Sequence, residues 1–334
     1  MSQPSSAACD PMEIARGFME SRILLTAVEL GVFAEIERGR RTAARLADAL
    51  GTDARGMERL LNALTGIGLM AKDGDGRFSN TEEGRRSLLP DSPESMVDAL
   101  RHYAYLWTHW SPLTEVVRTG NLAKEDAGEW SGDQVDAFIG AMACFARVRA
   151  PMVAKTVDLT DAKRLLDIGG GPATYSIEFC KRYPELTAVV FDAPEVVPIA
   201  ERHIAEAGMS GRITTQAGDY NTDDFGKGFD VALIFSVLHI NSPEQNRRLL
   251  ARTFAALGPG GRVIIQEFLV NDAKTAPPWA AIFGINMLVN TEGGDVYSES
   301  EVRAWLGGAG FAACERLEIA ELGADLLAAR KPGE

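Results

Sequence analysis

From Lys163 onward, short apolar runs alternate with segments of helical periodicity, and this alternation constrains the fold more than any other feature. Four such runs read as strands: RLLDI, TAVVFD, ITTQAGD and RVIIQEFLV. A fifth, from Phe229 to Leu238, is almost uniformly apolar and is expected to be buried on both faces. The segment from Phe311 to Lys331 predicts two more strands joined by a turn near Gly323. We therefore predict an α/β fold with a doubly wound, mostly parallel sheet of seven strands.

The first third of the chain has the outline of a winged helix. Asp10 can cap a helix that carries apolar residues at Ile14, Phe18, Leu25 and Val28. The segment TAARLADAL, a short helix over about 55–67, and an Asp-Gly turn between LMAK and RFSN follow. Residues 1–120 hold 14 Lys and Arg against 17 Asp and Glu, a balance that argues against DNA as the partner. We expect a structural use instead, in subunit association.

The composition excludes several classes of protein. The chain has 334 residues, a net charge of −13 and a pI near 4.9, so nucleic-acid or anionic-membrane binding is not expected. No apolar run approaches the ~20 residues of a spanning helix, and no signal core is visible. The four cysteines lie far apart and form no CxxC pair, which predicts neither a zinc site nor a disulfide framework and favours a cytoplasmic location.

A charged, glycine-containing stretch from Arg118 to Gly132 suggests a linker. Ser131 and Gln134 after it form a possible capping box. The following helix carries one apolar stripe: Val135, Phe138, Met142, Phe145, Val148 and Met152. We predict a helical winged-helix domain over 1–120, a linker and connecting helix over 121–160, and the domain with the ligand site over 161–334.

Glycines and polar residues stand at the carboxyl ends of the predicted strands, where such sheets bind ligands. In chain order they are Gly169, Gly170 and Gly171, then Asp192, then Gly218, Asp219 and Tyr220, then His239, and Glu267 within the next strand. A dinucleotide fingerprint fits poorly, because position 174 is Thr174 and Pro172 lies inside the turn. The glycines could instead form a tight turn, and Asp219 could cap one.

Five segments, LLDIGGGPA, VVFDAPEV, AGDY, FSVLHINSPEQ and PGGRVIIQEF, occur in this order. Together they resemble the S-adenosylmethionine-dependent O-methyltransferases of the plant caffeate and bacterial polyketide type. The resemblance covers nearly the whole chain, including WSPLTEVVRTG. It implies a Rossmann-like class I methyltransferase domain, a homodimer joined through the N-terminal domain, and methyl transfer to a hydroxyl of a small aromatic or polycyclic acceptor.

The resemblance also implies roles for individual residues. His239 matches the general base and Glu267 an acid that flanks it. The positions implied to bind S-adenosylmethionine are Gly169, Gly170, Gly171, Asp192, Gly218, Asp219, Tyr220, Phe235 and Ser236. A neutral imidazole can take the proton of a phenol while the oxygen attacks the methyl carbon, and no metal is required. The alternative for His239 is a structural histidine at a strand end.

The sequence departs from the family pattern at several positions. Ile240 and Asn241 follow the histidine where Asp-Trp is common, and Phe235 stands in place of a basic residue. A second family acid falls on Val296, and the last glycine of the loop is Ala173. Three alternatives stay open: a relative that binds the cofactor without methylating, a winged-helix transcriptional regulator with a ligand sensor, and a nicotinamide oxidoreductase.

Two aromatic segments are candidates for the acceptor pocket. In HYAYLWTHW, helical spacing puts Tyr103, Trp107 and Trp110 on one face and His102, Leu106 and His109 on another. Trp279, Phe283, Met287 and Asn290 form a second stripe, in which Asn290 could bond a substrate oxygen or cap the helix. The predicted substrate-side residues are Tyr103, Trp107, Phe138, Met142, Phe283, Met287 and Asn290. Few charges lie in these stripes, so we expect a flat, largely apolar acceptor.

Overall fold

The structure, a computed structural model, describes residues 10–122, 131–319 and 323–333. Contacts divide the chain into two compact units, Met1–Leu106 and Trp107–Glu334. The predicted linker lies partly outside the described residues, since 123–130 are not among them.

The first unit contains the predicted helix, turn, helix and hairpin. Its elements are α1 (Pro11–Glu29), α2 (Val32–Glu37), α3 (Ala43–Leu50), α4 (Ala54–Gly66), β1 (Met70–Lys72), β2 (Phe78–Asn80), α5 (Glu82–Leu88) and the start of α6 (Val97–Trp110). Asp10, Thr42 and Asp53 cap their helices, each accepting a hydrogen bond from a backbone N–H of the first turn. The two strands pair antiparallel, with Ala71 opposite Ser79.

The apolar face of α1 is divided along its length. Leu25 and Val28 are buried, and Val28 belongs to the core cluster of the first unit. Ile14 and Phe18, toward the start of the helix, are 68% and 53% exposed. The first half of α1 therefore presents apolar side chains that its own unit does not cover.

The second unit is built on the predicted seven-stranded sheet. After the end of α6, its elements are α7 (Leu113–Thr119), α8 (Gly132–Thr156), β3 (Arg164–Ile168), α9 (Thr174–Arg182), β4 (Thr187–Asp192), α10 (Val197–Glu206), β5 (Ile213–Ala217), β6 (Phe229–Phe235), α11 (Pro243–Ala256), β7 (Leu257–Glu267), α12 (Pro278–Asn290), α13 (Glu299–Gly308), β8 (Ala312–Leu317) and β9 (Asp325–Arg330). The strand order is β5-β4-β3-β6-β7-β9-β8. All neighbours are parallel except β9, which runs antiparallel to β7 and to β8.

The sheet is covered on both faces, as a doubly wound fold requires. One core cluster joins alternate strand residues to Val153 of α8, Phe179 of α9 and Ile204 of α10. The other joins the opposite strand face to Leu249 of α11 and Leu306 of α13. Because β6 lies in the middle, nearly every one of its residues is buried. The carboxyl ends of β3, β4, β5 and β6 consequently lie along one edge of the sheet.

The fourth predicted strand is shorter than expected. It ends at Phe235 rather than at Leu238, because Ser236 takes a left-handed backbone conformation with φ of +57°. A single turn of 3-10 helix, Leu238–Ile240, follows and carries His239. The apolar run extends past the end of the strand because Val237 and Leu238 are also buried.

Helix α8 begins at the predicted capping box of Ser131 and Gln134. Most of its buried residues are alanines, such as Ala141 and Ala150, whereas Phe138 and Met142 of the predicted stripe stay partly exposed. Among the described residues, α8 is also the one helix with the length and apolar composition to cross a membrane. Core helices of proteins outside membranes have the same properties.

Candidate active site

Close contacts shape the glycine turn after β3. Gly169 has a φ of +67°, and a β-carbon there would lie 2.7 Å from Cγ2 of Val237. A β-carbon on Gly170 would lie 2.8 Å from the carboxyl carbon of Asp167. Neither position accepts a side chain without displacing its neighbour. Gly171 also has a positive φ, +53°, but its β-carbon would meet no atom within 4 Å.

Asp192, at the end of β4, is held against this turn. Its Oδ2 accepts a hydrogen bond from the backbone N–H of Gly171 at 2.7 Å, and its Oδ1 accepts from Ala193 N–H at 2.8 Å. Burial raises the pKa of the Asp192 carboxyl, and the two hydrogen bonds oppose that rise. A carboxylate has about four lone-pair sites, so this one can accept further bonds from ligand hydroxyls.

The segment after β5 also lies near Asp192. A β-carbon on Gly218 would come within 2.5 Å of the Phe191 ring, so only glycine fits there. Burial raises the pKa of Tyr220 to about 12, and the nearby Asp192 carboxylate adds to the rise. Asp219 caps a turn, since its Oδ1 accepts from the backbone N–H of Asn221 at 2.8 Å.

Phe235, at the end of β6, contacts Tyr175, a residue that sequence reasoning missed. The ring of Tyr175, in the first turn of α9, packs edge-on against Phe235 with centroids 4.6 Å apart. The Tyr175 hydroxyl donates to Oε1 of Gln266 at 2.8 Å, and burial raises its pKa to about 12. Ser236 N–H donates to the Gln266 carbonyl at 2.9 Å. The signal available in the sequence was the position of Tyr175, directly after the glycine turn.

The two predicted catalytic residues lie in direct contact. Nδ1 of His239 is 2.6 Å from Oε1 of Glu267, and the His239 backbone N–H donates to Oε2 at 3.2 Å. Both residues are buried, at 7% and 2% exposure. The Glu267 carboxylate also accepts from the backbone N–H of Phe268 at 2.9 Å, which fixes its orientation. With the proton on Nδ1 facing a carboxylate, the lone pair lies on Nε2.

An aromatic wall surrounds the His239 ring. Phe283 of α12 packs edge-on to the imidazole at 4.9 Å between centroids, and Phe268 lies at 6.2 Å. Phe268 and Phe283 are 4.9 Å apart, and the Arg149 guanidinium lies over the Phe268 ring at 5.5 Å. Trp279 extends the wall toward solvent at 6.3 Å from Phe283. No sequence pattern signals Arg149, which lies on α8.

The predicted residue Asn290 belongs to a polar network between α6 and α12. Its Oδ1 lies 2.6 Å from Nδ1 of His109, and its Nδ2 donates to the Asn286 carbonyl at 2.7 Å. Trp110 donates from Nε1 to Oδ1 of Asn286 at 3.0 Å. Met287, from the same stripe, is buried. Sequence reasoning missed Asn286, although it lies one helical turn before Asn290 and on the same face.

The structure shows what replaces the second family acid. Val296 is buried beside Phe268 and Phe283. The carboxylate of the preceding residue, Asp295, pairs with Lys274, with its Oδ2 2.7 Å from Nζ. Glu267 is therefore the acid that contacts His239.

The other predicted substrate residues lie on α6 and α8. Tyr103 lies in the first unit and is 40% exposed, whereas Trp107 begins the second unit. Phe138 and Met142 follow one another on α8, separated by one turn and partly exposed. Phe283 packs on His239, which in turn contacts Glu267.

Comparison with known proteins identifies the family. An O-methyltransferase domain matches residues 126–312, and an O-methyltransferase dimerisation domain matches residues 12–89. The chain belongs to the O-methyltransferase family. A 3-hydroxy-5-methyl-1-naphthoate 3-O-methyltransferase from Streptomyces sahachiroi is 35% identical over 319 residues, which cover 94% of this chain and 92% of that protein.

Two solved structures of methyltransferases have the same fold. Human N-acetylserotonin methyltransferase in complex with S-adenosylmethionine superposes with a TM-score of 0.86 at 27% identity, covering 98% of this chain and 99% of that one. PigF with S-adenosylhomocysteine superposes with a TM-score of 0.89 at 26% identity, covering 97% and 100%. The predicted class I fold is confirmed. This O-methyltransferase uses S-adenosylmethionine, as predicted.

Proposed function

We propose that this O-methyltransferase methylates a hydroxyl group of a small aromatic or polycyclic compound, with His239 as general base. The observation that carries the proposal is the 2.6 Å contact between the His239 imidazole and the buried Glu267 carboxylate. A histidine held at Nδ1 by a carboxylate presents Nε2 as the proton acceptor, which is the arrangement a base needs.

The residues at the sheet edge fit the cofactor. The open space at the Gly171 β-carbon position leaves room for a ligand above the turn, and Asp192 keeps acceptor capacity for ribose hydroxyls. Tyr220, which is close to Asp192, and Asp219 would contact the adenine. S-adenosylmethionine, when bound, would supply the methyl group by cleavage of its carbon–sulfur bond and would leave as S-adenosylhomocysteine. The turn does not need to bind phosphate, so Pro172 is compatible with this role.

The chain then has two tasks in the reaction. It must orient the acceptor hydroxyl toward the methyl carbon, in line with the sulfur, and it must remove the hydroxyl proton. Nε2 of His239 takes that proton as the new carbon–oxygen bond forms. The Glu267 carboxylate holds the ring through Nδ1 and stabilises the imidazolium that results. The site then releases the proton to solvent.

The aromatic wall supports a flat acceptor. Phe268 and Phe283 flank the imidazole, and Met287 lies one turn farther along α12. Such a surface suits aromatic rings with few charged groups. The S. sahachiroi relative acts, by its name, on a hydroxynaphthoate. We propose a ring system of similar size as the acceptor, with Tyr103, Trp107, Phe138, Met142 and Asn290 as further contacts.

We also propose that residues 1–120 join two copies of the chain into a homodimer, and that the enzyme works in the cytoplasm without nucleic acid. The support is the match to a dimerisation domain and the exposed apolar residues of α1, Met12, Ile14, Phe18 and Met19. Apolar patches that a monomer leaves uncovered are typical of subunit interfaces.

Calorimetry and a methyl-transfer assay test the proposed function. Titration with S-adenosylhomocysteine should give one site per chain, and 3-hydroxy-5-methyl-1-naphthoate is the first acceptor to assay. Absence of cofactor binding at millimolar concentration would remove the transferase proposal. Binding without transfer to any of a panel of hydroxylated naphthoates and related phenols would leave the site without its proposed acceptor class.

A further inference from the structure

We infer that Gly294 and Asn246 are positioning residues for His239, an inference that rests on the proposed role of His239 as base. Neither residue touches the imidazole. They contact different carbonyls of the 3-10 turn Leu238–Ile240, and that turn carries the His239 ring.

Asn246 holds the turn from helix α11. Its side chain is fully buried, and its Nδ2 donates to the Leu238 carbonyl at 2.8 Å. Its Oδ1 accepts from Nδ2 of Asn241 at 3.2 Å, and Asn241 is buried as well. A buried amide costs free energy unless its groups are bonded, and here both are bonded to the segment that carries His239.

Gly294 holds the turn from the segment before α13. A β-carbon at this residue would lie 2.3 Å from the His239 carbonyl oxygen, 3.0 Å from the Ile240 carbonyl oxygen and 2.5 Å from Oγ1 of Thr291. The next residue, Asp295, donates its backbone N–H to the same His239 carbonyl at 3.0 Å. The segment therefore packs directly on the turn, and only glycine permits this approach.

Backbone hydrogen bonds also restrain the position of His239. The His239 backbone N–H donates to Glu267, and its carbonyl accepts from the Asp295 N–H. Two residues later, the Asn241 carbonyl accepts from the Tyr297 hydroxyl. The ring keeps its orientation only while the turn stays in place. A methyl group at Gly294 must displace the turn by about 1 Å to reach an ordinary contact, and misplacement on that scale can cost about 10²-fold in rate.

The test compares Gly294→Ala with Gly307→Ala. Gly307 lies in α13, is exposed, and would have no atom within 4 Å of its β-carbon, so its substitution is the matched control. The chain has four histidines, which makes ¹⁵N-histidine NMR practicable. Spectra are recorded with S-adenosylhomocysteine bound, and turnover is measured with 3-hydroxy-5-methyl-1-naphthoate. The NMR measurement needs no acceptor.

We expect wild type and Gly307→Ala to show His239 with its proton on Nδ1. Gly294→Ala should change the His239 nitrogen signals and lower kcat about 10²-fold, with an unchanged Kd for S-adenosylhomocysteine. Asn246→Ala, which removes the hydrogen bond to the Leu238 carbonyl, should shift the same signals. If Gly294→Ala misfolds, as circular dichroism would show, Asn246→Ala decides.

Unchanged His239 signals in a folded Gly294→Ala or Asn246→Ala would overturn the inference. His239→Ala separates this failure from that of the proposed function. If His239→Ala keeps full turnover while Gly294→Ala moves the signals, the turn is positioned as described but His239 is not the base.

Discussion

At the residue scale, the identity of Glu267 decides which nitrogen of His239 carries the proton. A carboxylate can only accept a hydrogen bond, so it selects the Nδ1–H form. A glutamine amide can also donate, so Nδ1 could accept its hydrogen bond. The ring proton would then lie on Nε2, which could no longer accept a proton from the substrate. The acid therefore contributes more than its charge.

Glu267→Gln is predicted to lower kcat by about 10²-fold or more, because part of the enzyme then holds the wrong tautomer and the imidazolium loses its counter-charge. The Kd for S-adenosylhomocysteine should not change. Steady-state kinetics and calorimetry measure the two quantities. Glu292→Gln, an exposed position between α12 and α13, is the control. A kcat equal to wild type in Glu267→Gln would contradict this role.

Asp167 gives a prediction about pH and stability. Burial raises its pKa from an ordinary 3.8 to about 6, the Asp192 charge adds to the rise, and the hydroxyl of Ser176, 2.6 Å away, opposes it. The folded state thus binds the proton more tightly than the unfolded state does. The stabilising contribution is present below about pH 4 and is lost as the pH rises through 6.

Asp167→Asn should therefore raise the thermal midpoint at pH 8 and flatten its decline between pH 4 and 6. The gain is on the order of 1–3 kcal/mol, from a pKa difference of about two units. Scanning calorimetry across this pH range measures it. Asp75→Asn, in the exposed hairpin turn, should leave the profile unaltered. An equal or steeper decline in Asp167→Asn would show that Asp167 does not titrate in this range.

At this scale, sequence predicted that His239 and Glu267 would lie together, and the structure brings them into contact. His239 and Glu267 are predictable because each stands in a recognisable segment. Asn246 and Gly294 are not, since their roles depend on distances to backbone carbonyls that no local pattern encodes. The same holds for Arg149, which reaches Phe268 from another element.

At the element scale, the glycine turn and the histidine turn are in contact. Val237, which precedes the 3-10 turn, is buried. Its Cγ2 lies only 2.7 Å from the position that a β-carbon on Gly169 would take. The turn proposed to hold the cofactor thus packs on the element that carries the proposed base. Their relative position is set by the parallel pairing of β3 with β6 and by this apolar contact.

Gly169→Ala is predicted to destabilise the second unit more than Gly171→Ala does. Both positions have positive φ, which costs about 1–2 kcal/mol for alanine, but only Gly169 also forces a side chain into Val237, adding about 1–3 kcal/mol. Thermal unfolding without ligand compares them. Equal losses would mean that the Val237 contact relaxes freely.

Element types were largely predictable, and the exception is informative. The capping box at Ser131 begins its helix as predicted, and capping boxes at Ser242 and Ser298 begin two more helices, because their hydrogen bonds are local. The end of β6 was placed three residues late. Burial explains the error, since Val237 and Leu238 are apolar for packing reasons that a strand and a buried turn share.

At the scale of the whole molecule, the proposed homodimer is directly testable. The chain has a mass of 36.0 kDa, and sedimentation should give about twice this value. Phe18→Glu puts a charge in the exposed apolar patch of α1 and should shift the mass toward one chain. Val148→Glu, at a 66% exposed residue of α8 outside residues 1–120, is the matched control. A dimer that survives Phe18→Glu unchanged would place the interface elsewhere.

The most direct test of the account is transfer of a labelled methyl group by wild type and by His239→Ala. Both proteins are given S-adenosylmethionine with a deuterated methyl group and 3-hydroxy-5-methyl-1-naphthoate, and mass spectrometry follows the acceptor. We predict labelled methyl ether from wild type, and at least about a 10²-fold slower reaction from a folded, cofactor-binding His239→Ala. Equal rates from the two proteins would contradict the central claim that His239 removes the hydroxyl proton.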